Sequence, residues 1–240
     1  MCTVTFVPRR TGYRLAMNRD EQLDRVEALP PARRKLDGRA VIYPSEPGGG
    51  TWIALNDQGV CLTLVNWYSI ATRVAGKFVS RGRVIPAVCA FSEPDLTHAA
   101  LEGLPLMQIN PFRLVGIFPN RREIAEWRWD LKRLVRQPHA WRAQQWISSG
   151  FDEPAAQRVR GRIFRLASRQ VSTGRVDWLR RLHRSHAPKV GPTSTCMHRE
   201  DAATVSYTEV AVLPRQAGMA YHAGAPCRGA LSAVYRWMSG

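Results

Sequence analysis

The stretch Cys2–Glu21, CTVTFVPRRTGYRLAMNRDE, decides how this chain begins to fold. Thr3, Val4, Thr5, Phe6 and Val7 are β-branched or aromatic, and Pro8 ends the run, so a strand with Cys2, Val4 and Phe6 on one face is predicted. Thr11-Gly12 makes the turn. Tyr13, Leu15 and Met17 alternate with Arg14, Ala16 and Asn18, which predicts an antiparallel return strand delivering Asn18-Arg19-Asp20-Glu21 near the start of the first.

Outward from this hairpin, residues 28–49 are rich in Pro, Gly and charge and read as a surface excursion. A second hairpin is expected from Trp52–Leu55 and Val60–Val65 around Asn56-Asp57-Gln58-Gly59, running into Asn66-Trp67. Ser92-Glu93-Pro94 starts a helix that Gly103 stops. Phe112–Phe118 and Ile124–Trp129 read as strands. Asp152-Glu153-Pro154 caps a second helix with Ala156, Val159, Ile163, Phe164 and Ala167 near a 3.6 period. Trp178, Leu179, Leu182 and His186 suggest a third. The chain returns to strand over Thr204–Leu213, with Tyr221 and Ser232–Trp237 as weaker strands. Strands, then helices, then strands give an α+β class in a single domain spanning residues 1–240.

The 240 residues are 45% apolar, enough for a substantial core. No run approaches the ~20 apolar residues of a membrane span, and arginines interrupt the first thirty residues, so a cytoplasmic protein is expected. Cys2, Cys61, Cys89, Cys196 and Cys227 are odd in number and scattered without a C-x-x-C, which predicts reduced thiols. The net charge of +16 raises the question of nucleic acid. The excess is almost all arginine, spread along the chain with no nucleic-acid-binding signature, so no nucleic-acid partner is expected.

Cys2 carries the chemistry. Removal of Met1 would leave its thiol beside a free α-amine. The amine titrates at about 7.7 to 8.0 and a thiol at about 8.5, so the amine can take the thiol proton without a histidine. A guanidinium favours the thiolate and a carboxylate can hold the amine, and Arg19 and Asp20 supply one of each.

Cys2-Thr3-Val4-Thr5-Phe6, then NRDE, Gly49-Gly50-Thr51-Trp52, Val65-Asn66-Trp67, Ser80-Arg81-Gly82-Arg83 and Asn110-Pro111-Phe112-Arg113-Leu114-Val115 follow in order. Together they resemble the NRDE family, also called the transport and Golgi organisation protein 2 family, over roughly the first 120 residues. The resemblance implies a branch of the N-terminal nucleophile hydrolases with a four-layer αββα sandwich. It makes Cys2 similar to the nucleophile of choloylglycine-hydrolase-type amidases, Arg19 and Asp20 to its polar partners, and Asn66 to a side-chain oxyanion donor, a group whose loss costs ~10²-fold or more. The implied reaction is acyl transfer from an amide or thioester through an S-acyl enzyme to water or another acceptor. Those hydrolases also carry a second asparagine and a late arginine. Ser148-Ser149-Gly150 stands where a loop serine-asparagine element is expected, and Arg199 or Arg228 is available for the late position. The family is also linked to haem handling and to lipid or Golgi phenotypes, so the alternative is a non-catalytic carrier of haem or an acyl ligand. Haem would then be a ligand, and no cofactor is expected.

Ser80-Arg81-Gly82-Arg83 sets the guanidiniums of Arg81 and Arg83 around a glycine, which suits a carboxylate or phosphate on a ligand. Trp52 and Trp67 would line an apolar pocket, with Asn18 beside it. Gly48-Gly49-Gly50 has no following Lys-Ser or Lys-Thr and precedes a strand, so it reads as a rim and not a phosphate loop. His183-x-x-His186 and Cys196-x-His198 offer ligands that suit zinc but fit no standard zinc spacing, so packing or surface roles are expected and no metal. The acyl group, the acceptor and the oligomeric state stay open.

Overall fold

The structure, a computed structural model, describes residues 2–229 and 233–238. Met1, and Ser232 of the expected last strand, lie outside them. In chain order the elements are β1 (Cys2–Pro8), β2 (Tyr13–Gln22), β3 (Leu29–Leu36), β4 (Arg39–Ser45), β5 (Ile53–Asn56), β6 (Cys61–Asn66), α1 (Val84–Val88), α2 (Pro94–Glu102), β7 (Phe112–Phe118), β8 (Glu123–Trp129), β9 (Leu134–His139) and β10 (Gln144–Ser148). Then come α3 (Glu153–Ala167), α4 (Val176–Arg184), β11 (Ala202–Leu213), β12 (Gln216–Ala223) and β13 (Ala233–Met238). The strands form a six-stranded sheet in the order β10-β1-β2-β11-β12-β13 and a seven-stranded sheet in the order β3 to β9. The chain divides into two compact units. One combines the chain up to Arg25 with Arg142–Pro214 and Gly218–Val234; the other is built around Val26–Trp141.

In the first unit the predicted hairpin forms, and its register sets Cys2 opposite Arg19. The turn closes with the Arg9 N–H donating to the Gly12 carbonyl at 3.1 Å. Gly12 has φ +79°, and a Cβ there would lie 1.9 Å from the Val212 carbonyl oxygen, so only glycine lets β11 pass beside the turn. β1 is hydrogen-bonded on both edges, to β2 and to β10. Because side chains alternate, the face carrying Thr3, Thr5 and Val7 meets the helices. Val7 and Ala16 pack there with Trp178, Leu179, Leu182 and Tyr207, joined by Ile163, Phe164 and Ala167 of α3. α3 starts as its residues predict, with Asp152 accepting from the Ala155 N–H at 2.8 Å and Pro154 in the first turn. The other face, with Val4, Phe6, Leu15 and Met17, is fully buried as well.

In the second unit residues 28–49 depart from the expected excursion: most of them form the β3–β4 hairpin. The signal is Asp37-Gly38, whose φ values of 48° and 78° are both positive, as the tightest hairpin turn requires. Pro30 and Pro31 sit where the β3–β4 register shifts, and Pro138 lies in β9. Both strands are edges of their sheet, where a missing N–H is tolerated and further strand pairing is discouraged. The core of this unit joins Val41, Leu62, Leu64, Phe112, Leu114 and Trp127 to Val84, Ile85, Val88 and Leu101 of α1 and α2.

Four motifs of the resemblance meet within this second unit. The Thr51 N–H donates to the Gly82 carbonyl at 2.9 Å, and the Trp67 N–H to the Pro111 carbonyl at 3.3 Å. Arg81 Nη1 donates to the same Pro111 carbonyl at 3.2 Å. The backbones of Gly50 and Gly82 touch, so that a Cβ on Gly82 would lie 3.0 Å from the Gly50 Cα and 3.4 Å from the Thr51 nitrogen. Gly82→Ala is expected to cost ~1–3 kcal/mol by forcing these backbones apart, read as a lower urea midpoint at unchanged slope. An unchanged midpoint would mean that the glycine serves ligand access and not packing.

Candidate active site

Cys2 opens β1, buried at 6% exposure. Its register partners are Arg19 on β2 and Ser148 on β10, so the three share one face of the sheet. The Cys2 backbone nitrogen donates to Ser148 Oγ at 3.1 Å. Burial pushes the Cys2 thiol up, reinforced by the charges of Asp20 and Glu21 and opposed by Arg19. A group held in this way is a protonated thiol until a base takes its proton.

The NRDE tetrapeptide divides its work by the two-residue period of β2. Arg19 and Glu21 lie on the Cys2 face, and Arg19 Nη2 donates to Glu21 Oε2 at 3.2 Å. Asn18 and Asp20 belong to the helix face. Asp20 is wholly buried, and its carboxylate accepts from Arg160 Nη1 at 3.2 Å and from Thr204 Oγ1 at 2.6 Å. Arg160, on α3, is also wholly buried. Its remaining donors reach Thr3 Oγ1 at 2.7 Å, the Pro192 carbonyl at 3.3 Å and the Thr193 carbonyl at 3.4 Å. The ion pair is thus nearly saturated with hydrogen bonds, the condition under which a buried pair is tolerated.

Asn18 organises the next layer. Its Nδ2 donates to the carbonyls of His183 at 3.0 Å and Thr195 at 2.8 Å, which fixes the amide orientation. Oδ1 therefore faces His183 Nδ1 at 3.0 Å, and because Oδ1 can only accept, Nδ1 carries the proton. His183 Nε2, 2.9 Å from Thr5 Oγ1, is then the acceptor of the threonine hydroxyl. Burial, helped by the Arg160 charge, pulls His183 down to about 3. The unfolded ring takes its proton near its ordinary value of about 6.5, so the unfolded chain binds more protons below that pH. The stability contributed by native neutral His183 is full above pH 6.5 and falls by up to ~1.4 kcal/mol per pH unit toward pH 3. Urea midpoints measured from pH 7 to pH 4 are expected to fall less steeply in His183→Asn than in the parent; equal slopes would refute the neutral, buried ring.

Other predicted site residues lie in the second unit. Asn66 ends β6, opposite Phe112, and its Nδ2 donates to the Tyr68 hydroxyl at 2.9 Å. Trp52 is buried and Trp67 half-buried; Arg81 is half-buried and holds the Pro111 carbonyl, while Arg83 is exposed. Arg81 is therefore a positioning contact for the Asn110-Pro111 turn in addition to any ligand role.

Three participants are invisible to motif reading. Arg160 interrupts the apolar stripe of α3 four residues after Ala156, a position where a buried arginine demands an acid; that was the available signal. Thr204 stands at the β11 bulge opposite Asp20 and carries no sequence mark. Ser206 lies opposite Arg19, and its buried hydroxyl, like that of Thr208 two residues on, has no hydrogen-bond partner among the described residues. Both point to the Cys2 face. Unpaired buried hydroxyls there are costly unless something else uses them.

Solved structures with the same fold include an acylase and a hydrolase by name. The chain is similar to penicillin V acylase from Agrobacterium tumefaciens, with a TM-score of 0.54 and 12% identity over 93% of this chain and 83% of that one. It is similar to a Cys-to-Ala mutant of conjugated bile acid hydrolase from Clostridium perfringens, with a TM-score of 0.53 and 9% identity over 98% and 92%. An Arg-to-Leu variant of the same hydrolase gives a TM-score of 0.52 and 9% identity over 99% and 96%. At such identities the likeness shows the fold, which is the αββα type of N-terminal nucleophile hydrolases expected from the sequence. No curated protein matches the sequence. The model of the Transport and Golgi organisation 2 family matches residues 1–134, more than half of the chain, and takes in Cys2, the NRDE tetrapeptide and the Gly50–Gly82 joint: the chain belongs to this family.

Proposed function

We propose that the protein is an N-terminal-cysteine amidohydrolase or acyltransferase acting on an amide or thioester. The observation that carries this reading is Cys2 at the head of a buried strand paired on both edges, flanked in register by Arg19 and by Ser148, which accepts from its nitrogen at 3.1 Å. Removal of Met1 converts that nitrogen into an α-amine. The amine takes the thiol proton, and the thiolate adds to the substrate carbonyl, forming the C–S bond. Collapse expels the amine or thiol leaving group, which leaves with the proton held by the Cys2 ammonium. Water or another acceptor then attacks the S-acyl carbonyl, giving its proton to the same amine, and the C–S bond breaks.

The chain's groups divide the work. Arg19 favours the thiolate by charge on the Cys2 face. The α-amine's proposed orienters are Ser148, whose Oγ accepts from this nitrogen, and Asp20, carried from the family resemblance. Asn66, carried from the family resemblance, is the proposed oxyanion donor; the Tyr68 bond uses one of its two N–H groups. The unpaired hydroxyls of Ser206 and Thr208 suit polar atoms of the bound substrate.

Intact-protein mass spectrometry tests the reading directly. Loss of Met1, followed by one adduct with an electrophilic acyl or amide probe on Cys2, is the expected result. Retained Met1 would block the base and overturn it. Stoichiometric haem uptake that survives Cys2→Ala, with no turnover on an amide and thioester panel, would replace it with ligand carriage.

A further inference from the structure

A second cluster lies in the first unit beyond the NRDE layer. His186, Cys196, His198 and Cys227 each offer one ligand atom, and all four atoms lie within 4.8 Å of one another. They come from the connection between α4 and β11 and from the turn Pro226–Arg228. His183, which sequence spacing pairs with His186, is not among them; it serves Asn18 and Thr5 instead.

Two of the ligand separations are those of a tetrahedral metal polyhedron. Zinc bonds of about 2.3 Å to sulfur and 2.0 to 2.1 Å to nitrogen, at the tetrahedral angle, separate S and N by about 3.6 Å. Cys196 Sγ lies 3.6 Å from His198 Nε2, and Cys227 Sγ lies 3.4 Å from the same nitrogen. The His186 and His198 rings meet edge-on, with centroids 5.1 Å apart. A further, independent sign is His186 Nε2, which is buried and has no hydrogen-bond partner among the described residues. An imidazole nitrogen left in that state is costly unless it binds something.

We propose that His186, Cys196, His198 and Cys227 form a closed structural site for a divalent zinc-class cation. Two thiolates and two imidazoles suit Zn²⁺ over the hard cations, and four protein ligands leave no open position for catalysis. On binding, two S–metal and two N–metal bonds form and the two thiol protons pass to solvent, with no redox change. The ion clips the α4–β11 connection to the Pro226–Arg228 turn. That connection also supplies the Thr195 carbonyl to Asn18 and the Pro192 and Thr193 carbonyls to Arg160. Between the ligands Cys196 and His198, the Met197 N–H donates to Thr204 Oγ1 at 2.9 Å, and Thr204 Oγ1 donates in turn to Asp20. The cation would thereby brace the wall behind the NRDE strand. The inference does not depend on the acyl-transfer reading.

The test uses the full chain, purified under reducing conditions, loaded with zinc sulfate and desalted. Elemental analysis is expected to find about one Zn²⁺ per chain, falling below about a tenth in Cys196→Ser/Cys227→Ser. Because that variant can fail for reasons of folding, the unmodified chain is also stripped with chelator and titrated with Co²⁺. An intense visible band of tetrahedral thiolate-bound cobalt, displaced by zinc, is expected. Less than about a tenth of an ion in the unmodified chain, with no cobalt band, overturns the proposal. So does a Cys196–Cys227 disulfide that forms irrespective of added zinc.

Discussion

Cys2→Ala is expected to abolish adduct formation with an acyl probe and to lower turnover on any amide or thioester substrate by ~10⁴-fold or more. The size follows from the economy of the site: in the proposed reaction one residue supplies both nucleophile and base, so its sulfur has no substitute. Cys2→Ser separates the two roles. It keeps the α-amine and the Ser148 hydrogen bond but replaces a polarisable thiolate with a hydroxyl that the amine deprotonates far less readily. A residual rate well below the parent but above Cys2→Ala is expected. In the parent, labelling should rise with pH as the α-amine loses its proton, near its ordinary value of about 8. Burial pushes the Cys2 thiol up, so direct ionisation without the amine would place that rise higher still. Labelling that persists in Cys2→Ala would move the chemistry to another residue and refute the assignment.

Arg160→Met is expected to destabilise the chain by ~3–5 kcal/mol, because it leaves the Asp20 carboxylate buried and without its cation. At this chain length that corresponds to a fall in Tm of about 6–20 °C. Asp20→Leu should cost a similar amount for the mirror reason. The double variant Asp20→Leu/Arg160→Met removes both charges and exchanges them for apolar volume, so its loss should be smaller than the sum by ~1–3 kcal/mol. Additive losses would mean that the two side chains act independently, contrary to their 3.2 Å contact. The stability cycle also separates scaffolding from chemistry. If Arg160 acts through Asp20 on the Cys2 amine, Arg160→Met will shift the pH dependence of labelling at temperatures where the chain stays folded; a purely structural arginine would leave that profile in place.

Much of the fold was legible locally. The alternation of Thr3–Val7 and Tyr13–Met17 around Gly12 predicted the hairpin that sets Cys2 opposite Arg19, and Asp152-Glu153-Pro154 predicted the start of α3. β3, β4 and β9 were missed: β3 and β9 because edge strands carry prolines and charge and therefore read as loops, and β4 because it lies inside the same Pro-, Gly- and charge-rich stretch as β3. β10 was missed although it is the strand that brings Ser148 to Cys2. Its sequence, Gln144-Gln145-Trp146-Ile147-Ser148, has too few apolar residues to declare a period.

By itself the sequence determined the nucleophile candidate, the strand that carries it and the return strand that brings the tetrapeptide beside it, because a two-residue period and a short turn are local properties. Only the tertiary structure decided what the rest of the tetrapeptide does. Asp20 meets Arg160 across 140 positions and Thr204 across 184, and Asn18 meets His183 across 165. The convergence of Cys227 with His186, Cys196 and His198 belongs to the same class. Such contacts arise when buried polar groups find partners among whatever helices and loops pack over the sheet, and no local pattern records which partner will arrive.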